Sequence, residues 1–127
     1  TNLSPLTNLL NLYDLDISNT PVTDISPLHA LVNLHFLNIE GTQVTDLNSL
    51  SSLDRLNEVN FSNTQIADLM PLDQMSRLSK IYCDNSLVDK KMTDKFIHSN
   101  PNVLVIYETK ALELWWNSLP SFWKDTL

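Results

Sequence analysis

Apolar residues recur along the chain every 22 positions. The stretch "LDISNTPVTDISPL" begins at Leu15, "LNIEGTQVTDLNSL" at Leu37 and "VNFSNTQIADLMPL" at Val59. Aligning the chain on this period gives seven apolar columns. They are Leu9/Leu31/Leu53/Met75, Leu12/Leu34/Leu56/Leu78, Leu15/Leu37/Val59/Ile81, Ile17/Ile39/Phe61/Cys83, Val22/Val44/Ile66/Val88, Leu3/Ile25/Leu47/Leu69 and Leu6/Leu28/Leu50/Leu72. A fixed period of this length is typical of a repeat architecture.

Within each repeat the hydrophobic period changes, and this change predicts the secondary structure. Leu15 and Ile17 alternate with a polar residue, as in a short strand with one buried face. Strands that recur in one direction along the chain must be parallel neighbours, about 4.8 Å apart. A single coil cannot bury its apolar side alone, so the pattern predicts a solenoid in which the coils stabilise one another.

Polar columns predict the turns between these segments. Asparagine or glycine follows each strand, and these residues accept a positive φ at least cost, so we expect left-handed backbone there. The column is Asn19, Gly41, Asn63 and Asn85. A hydroxyl column comes next, for which we predict bonds to the backbone of adjacent coils. It contains Thr20, Thr42, Thr64 and Ser86.

An aspartate column precedes the return segment of each coil. It contains Asp24, Asp46 and Asp68, and prolines follow at 27 and 71. Acidic residues in a row can hold metals, but aspartate ahead of such a segment is also a good cap for a short helical turn. Proline is tolerated early in such a turn, so capping is the favoured interpretation.

These columns resemble the 22-residue leucine-rich repeat of bacterial internalin-type proteins over about residues 1–88. The resemblance implies an α/β leucine-rich repeat solenoid, with a curved parallel β-sheet on the concave face and short 3₁₀ turns on the convex face. It also implies a bacterial protein, secreted or on the cell surface, that recognises other proteins. We expect residues 1–88 to form the array of about four units and residues 89–127 an atypical terminal repeat with a helical cap.

The repeat pattern fails after Val88, where the sequence "DKKMTDKFIHSN" predicts a helix with Met92, Phe96 and Ile97 facing inward. Asn100–Pro101 should end this helix. The run "NVLVIYE" then predicts a fifth strand. Val103 and Val105 lie one full period beyond Ile81 and Cys83, so the same register is expected.

All three tryptophans lie near the end of the chain, at Trp115, Trp116 and Trp123. The stretch "KALELWWNSL" after Thr109 predicts a further helix, on which neighbouring tryptophans point in different directions. Two interpretations stay open. The tryptophans pack locally as a cap, or one of them marks a contact with another module or a second copy.

Charge and composition narrow the partner classes. The net charge is −7, and residues 1–76 carry nine acidic side chains against one basic residue, Arg55. An acidic array repels phosphate backbones, which argues against nucleic acid and favours a protein or peptide partner of basic or polar character. The apolar runs are too short for membrane insertion.

The sequence offers no catalytic constellation, so an enzyme, a cofactor and a metal site are not expected. His29, His35 and His98 have no partner at ligand spacing. Cys83 occupies an apolar column, which predicts a small buried side chain rather than a nucleophile. The single cysteine also excludes an internal disulfide.

The outward residues of the strands are the candidate binding surface. If Leu15 and Ile17 point into the core, their polar neighbours point out, and the same holds in each later coil. The candidate site residues are Asp14, Asp16, Phe36, Asn38, Glu40, Glu58, Asn60, Lys80, Tyr82 and Asp84. These outward positions repeat every 22 residues. One more period places Asn102 beside Lys80, Leu104 beside Tyr82 and Ile106 beside Asp84.

Three functional hypotheses follow from this surface. The first is a non-catalytic recognition module that holds a protein or peptide, with Phe36 and Tyr82 as anchors. The second is a structural spacer that docks or self-associates through the tryptophan-rich tail. The third is carbohydrate binding, because aromatic rings stack on sugars and asparagine amides form hydrogen bonds with them. Simple solvation of an acidic sheet is the alternative for any single residue.

Overall fold

The computed structural model describes residues 2–107 and 116–118. Five short strands form one parallel sheet in the order β1-β2-β3-β4-β5. Their bounds are β1 Asp14–Asp16, β2 Phe36–Asn38, β3 Glu58–Asn60, β4 Lys80–Tyr82 and β5 Leu104–Ile106. Each strand is preceded by a return segment that crosses the solenoid, and we call one return segment together with the strand that follows it a coil.

The return segments of the first four coils contain 3₁₀ turns, at Ser4–Asn8, Ser26–Ala30, Asn48–Leu50 and Met70–Leu72. Proline stands early in three of them. Asp24, Asp46 and Asp68 lie one position before the N-cap residues, and their side chains accept the backbone N–H of the first residue of each turn at 2.8–3.0 Å. The predicted leucine-rich repeat solenoid is confirmed.

The core lies between the sheet and the 3₁₀ turns and is built from the predicted columns. Leu34, Leu56 and Phe61 are fully buried. Coil 1 is the exception, because the described chain places no coil on its outer side. Leu9 is 48% exposed, whereas Leu31 in the same column is completely buried.

The turn after each strand has the predicted left-handed backbone, with φ between 52° and 69° at Asn19, Gly41, Asn63 and Asn85. At Gly41 a side chain would also collide with the Asn19 amide oxygen. Backbone N–H groups of this column bond to the next coil, as from Asn63 to the Asp84 carbonyl at 2.8 Å.

The hydroxyl column behaves differently from the prediction. Each hydroxyl donates to the carbonyl three residues earlier in its own coil, as from Thr64 to Phe61 at 2.6 Å and from Thr42 to Ile39 at 2.7 Å. The expectation of bonds to adjacent coils was therefore wrong. The reason is that the backbone N–H groups of the preceding column already link the coils.

Helix α1, Lys90–Ser99, replaces the fifth 3₁₀ turn. Phe96 is buried and Met92 packs partly against the core, as expected, but Ile97 is exposed. The inward prediction for Ile97 was therefore wrong, because Thr93 takes the second fully buried position on this helix.

Asn100 joins the end of α1 to the fourth coil. Its side-chain amide donates to Asp73 Oδ1 at 2.8 Å and to the Phe96 carbonyl at 2.9 Å. Its Oδ1 accepts the backbone N–H of Gln74 at 3.0 Å. Both the amide and the oxygen of this polar side chain are used, which fixes the helix end against the solenoid.

Candidate binding surface

The outward residues of the five strands line up as two ladders across the sheet, and we call this surface the concave face. The first ladder contains Asp14, Phe36, Glu58, Lys80 and Leu104. The second contains Asp16, Asn38, Asn60, Tyr82 and Ile106. The middle residue of each strand points into the core, so period-two alternation holds in every strand.

The last rung of both ladders differs from the sequence prediction. Leu104 pairs with Lys80 and Ile106 with Tyr82, so the step from β4 to β5 is two residues longer than the repeat period. The expected placements of Asn102, Leu104 and Ile106 were wrong. A ten-residue helix stands in this coil where the others have a 3₁₀ turn, and its path takes two more residues.

A shallow depression of about 300 Å³ lies on the concave face, and we call it the concave pocket. Seven predicted site residues line it, together with the core residues Leu37 and Val59. The seven are Asp14, Asp16, Phe36, Asn38, Glu58, Asn60 and Tyr82. The remaining three, Glu40, Lys80 and Asp84, are not among its lining residues.

The side chains of Asp16, Asn38 and Asn60 have a structural task at the strand ends. Each Oδ1 accepts the backbone N–H two residues later, at 2.9–3.0 Å. Hydrogen bonds from the Ser18 side chain, and then from its backbone N–H, lower the pKa of the Asp16 carboxyl. This carboxylate is therefore fully ionised at neutral pH and adds negative charge to the pocket rim.

Two further carboxylates are engaged by neighbouring side chains. Glu58 Oε1 lies 3.6 Å from Lys80 Nζ, in a pair that is open to solvent on both sides. Glu40 accepts hydrogen bonds from the amides of Asn60 at 3.2 Å and Asn63 at 3.0 Å. Among the carboxylates that line the concave pocket, Asp14 and Asp16 of β1 are therefore the ones without a basic partner in the described part of the chain.

An aromatic cluster stands beside the pocket at its β1 end. Tyr13 stacks on the His35 ring with centroids 4.0 Å apart, and its ring lies 5.7 Å from that of Phe36. Tyr13 is 53% exposed. Sequence reasoning missed it, although its offset of one period from His35 indicates that the two residues are neighbours on adjacent coils.

The remaining candidate residues lie away from the concave pocket. His29 and His98 are exposed. Burial, reinforced by the negative charge of Asp84, raises the pKa of the Cys83 thiol from its ordinary 9.0 to about 12, so the thiol is neutral at physiological pH. Trp116 is partly exposed on a helical segment, residues 116–118, whereas Trp115 and Trp123 lie outside the described residues.

Across residues 2–107 and 116–118, no three histidine, cysteine or acidic side chains stand close enough to hold a metal ion together. None of the helices in the same part of the chain has the length and apolar character needed to cross a bilayer.

Comparison with known proteins agrees with this geometry. Residues 11–52 match the family of leucine-rich repeats, in two copies. The fold superimposes on an internalin, InlF, of Listeria monocytogenes with a TM-score of 0.76 and 29% identity, covering 84% of this chain and 31% of that one. A second Listeria monocytogenes protein, internalin C2, gives a TM-score of 0.72 and 30% identity over 82% of this chain and 45% of that one. The chain is a leucine-rich repeat protein of the internalin type.

A leucine-rich repeat protein of Leptospira interrogans shares the fold, with a TM-score of 0.75 and 19% identity over 83% of this chain and 28% of that one. No curated protein matches the sequence significantly. The chain spans less than half the length of either of these two internalins. In general terms, an internalin-type array is a protein-interaction module.

Proposed function

We propose that this internalin-type array is a non-catalytic recognition module, and that its concave face holds a basic protein or peptide segment. One observation carries the proposal: exposed carboxylates and two aromatic rings meet around a single depression on the sheet. Asp14 and Asp16 supply charge there, while Phe36 and Tyr82 supply apolar area. Cations are attracted both to carboxylates and to aromatic faces, so lysine and arginine side chains suit this surface.

The rigidity of the surface supports the same function. The sheet backbone is bonded from coil to coil, and the Oδ1 atoms of Asp16, Asn38 and Asn60 hold the backbone at the strand ends. A preorganised surface loses little conformational entropy when it binds a partner. The pocket is also shallow, which fits the side chains of a chain segment better than an enclosed small molecule.

The test is selection of peptides from a random library displayed on phage, with the full chain as target. Alanine replaces the two anchors in a Phe36→Ala/Tyr82→Ala variant, and Met70→Ala, an exposed position on the convex side, is the matched control. We expect lysine- and arginine-rich peptides that bind the native chain and the control equally. Their affinity for the double variant should be at least about tenfold lower, as for other aromatic anchors.

Equal thermal midpoints of the three proteins would show that the anchors act in binding rather than in folding. Selected peptides that bind the double variant as tightly as the native chain would contradict the proposal. So would peptides enriched in acidic residues.

A further inference from the structure

The composition of the concave face changes from β1 to β5. Each ladder begins with a carboxylate, Asp14 or Asp16, and ends with an aliphatic side chain, Leu104 or Ile106. This arrangement depends on the lengthened spacing of the last coil, because an unchanged repeat period would have ended the first ladder on Asn102. Leu104 is 54% exposed on this face.

The middle of the face is mixed in character, with Phe36 on β2, Glu58 on β3 and Lys80 on β4. Glu58 on β3 is paired with Lys80 on β4 at 3.6 Å, so the two carboxylates of these ladders for which the described residues supply no basic partner are Asp14 and Asp16 on β1. On β4 and β5 the second ladder ends with Tyr82 and Ile106, which are half-buried and apolar over most of their surface. The face is therefore acidic at one end and apolar at the other.

The need to keep an exposed sheet in contact with water does not explain the apolar residues at the β5 end of the face. Strands β1 and β3 place polar residues at both outward positions, with the sequences DLD and EVN, and a solvated sheet would continue in this way. Strand β5 reads LVI, although only its middle residue is buried. A single exposed leucine is ordinary, but two aliphatic residues at the ends of adjacent ladders, beside a tyrosine, form a surface suited to contact.

We propose, on the basis of the function above, that the concave face binds an extended segment in one fixed polarity. The cationic end of the segment lies over Asp14 and Asp16, and its apolar end lies over Leu104 and Ile106. Four strand spacings of about 4.8 Å separate β1 from β5, which is roughly 19 Å. An extended chain rises about 3.3 Å per residue, so about six residues span the face.

The direct test uses a synthetic eight-residue peptide with two lysines at one end, four serines, and two leucines at the other end. Each end carries a nitroxide in turn, and NMR spectra of the isotope-labelled full chain are recorded with each. We expect the label at the leucine end to broaden the methyl signals of Leu104 and Ile106. The label at the lysine end should broaden the amide signals of Asp14 and Asp16. Equal broadening at both ends of the face, or the reverse pattern, would overturn the polarity.

Variants separate this proposal from the function on which it rests. Leu104→Asn should weaken binding of the lysine–leucine peptide at least about fivefold. It should leave an otherwise identical peptide with serines in place of the leucines unaffected. Leu87→Asn is the matched control, since Leu87 is equally exposed but lies outside the strands. The Asp14→Asn/Asp16→Asn variant should weaken both peptides, and asparagine keeps the strand-end hydrogen bond, as Asn38 and Asn60 show.

The outcomes differ for the two claims. If both peptides bind and Leu104→Asn changes neither affinity, the polarity is overturned while recognition of basic segments stands. If neither peptide produces shifts in the native chain, recognition of basic segments on this face fails, and the polarity fails with it.

Discussion

At the scale of single residues, several outward positions of the sheet are less free than the repeat pattern suggests. Asp16, Asn38 and Asn60 share a ladder and share a task, because each side-chain oxygen accepts the backbone N–H two residues later. Only short side chains with an oxygen at this distance can do so. Tyr82 and Ile106 occupy the same ladder in the fourth and fifth coils without such an oxygen, so they are the ladder's candidates for a purely binding role.

The hydroxyl column gives a test of how much one side-chain hydrogen bond contributes. Thr64 is buried and donates to the Phe61 carbonyl at 2.6 Å. Thr64→Val keeps the shape but leaves a buried carbonyl without this donor. We expect a loss of about 1–3 kcal/mol in the free energy of unfolding, measured by urea denaturation.

Thr64→Ser is the matched control, because it keeps the hydroxyl and removes only a methyl group. It should lose less than Thr64→Val. If valine proves as stable as threonine, the hydroxyl contributes nothing net and the column has another purpose.

Local conformation was predictable at this scale, but the direction of side-chain bonds was not. A left-handed turn after each strand follows from residue type, since asparagine and glycine accept positive φ most readily. A stacked hydroxyl can bond to its own coil or to the next one, and both choices fit the same repeat period. The structure decides between them, because backbone groups already occupy the bonds between coils.

At the scale of elements, residues of one column are equivalent in sequence but not in burial. Leu37 is 2% exposed between two coils, whereas Leu15 in the same column is only partly buried in the first coil. Leu37→Ala should therefore cost about 2–5 kcal/mol of unfolding free energy. Leu15→Ala should cost less than about 2 kcal/mol, because less apolar area leaves water there on folding.

Urea unfolding of the two variants checks this difference, with the slope of the transition showing whether folding stays two-state. A cost below about 1 kcal/mol for Leu37→Ala would contradict the core assignment of this column. Equal costs at the two positions would show instead that coil 1 is as well packed as coil 2.

The fifth strand shows the limit of the repeat pattern at this scale. The sequence predicted a helix after Val88 and a strand containing Val103 and Val105, and both a helix and a fifth strand are present, although the strand proper begins at Leu104. It also predicted the wrong register, because the number of residues that a coil needs when it contains a helix cannot be derived from the period of the other coils. The error is two residues, and side chains alternate with period two, so the buried face was still assigned correctly while the outward ladders were not.

At the scale of the whole molecule, the position of the outward-facing surface was predictable from the sequence, but its division into an acidic end and an apolar end was not. Outward positions follow from strand alternation alone, and acidic residues concentrate in the first 76 positions of the sequence. The acidic-to-apolar change along the concave face depends on the register of β5, which sequence alone misplaced. The chemistry of the proposed partner is therefore inferred from the assembled coils rather than from any one repeat.

The terminal coil gives the last prediction, which concerns how the open end of the solenoid is covered. Phe96 of α1 is buried in the common core, and Val105 of β5 pairs with the fully buried Ile81. Removing residues 89–127 exposes Ile81, Cys83 and the edge of β4 to water. Exposed apolar ends and unpaired edges favour association, so we expect the 1–88 fragment to aggregate in light-scattering measurements.

A fragment of residues 1–107 is the matched control, because it keeps α1 and β5 and lacks only the tryptophan-rich tail. If α1 and β5 form the cover, this fragment should stay soluble and unfold cooperatively, whereas the 1–88 fragment should not. A soluble, cooperatively folding 1–88 fragment would refute the assignment of residues 89–127 as a cap. If instead the full chain is a dimer and the 1–107 fragment is a monomer, the tail holds two copies together. Light scattering identifies this result, because removing the tail then lowers the molar mass of the particle without lowering the stability of the fold.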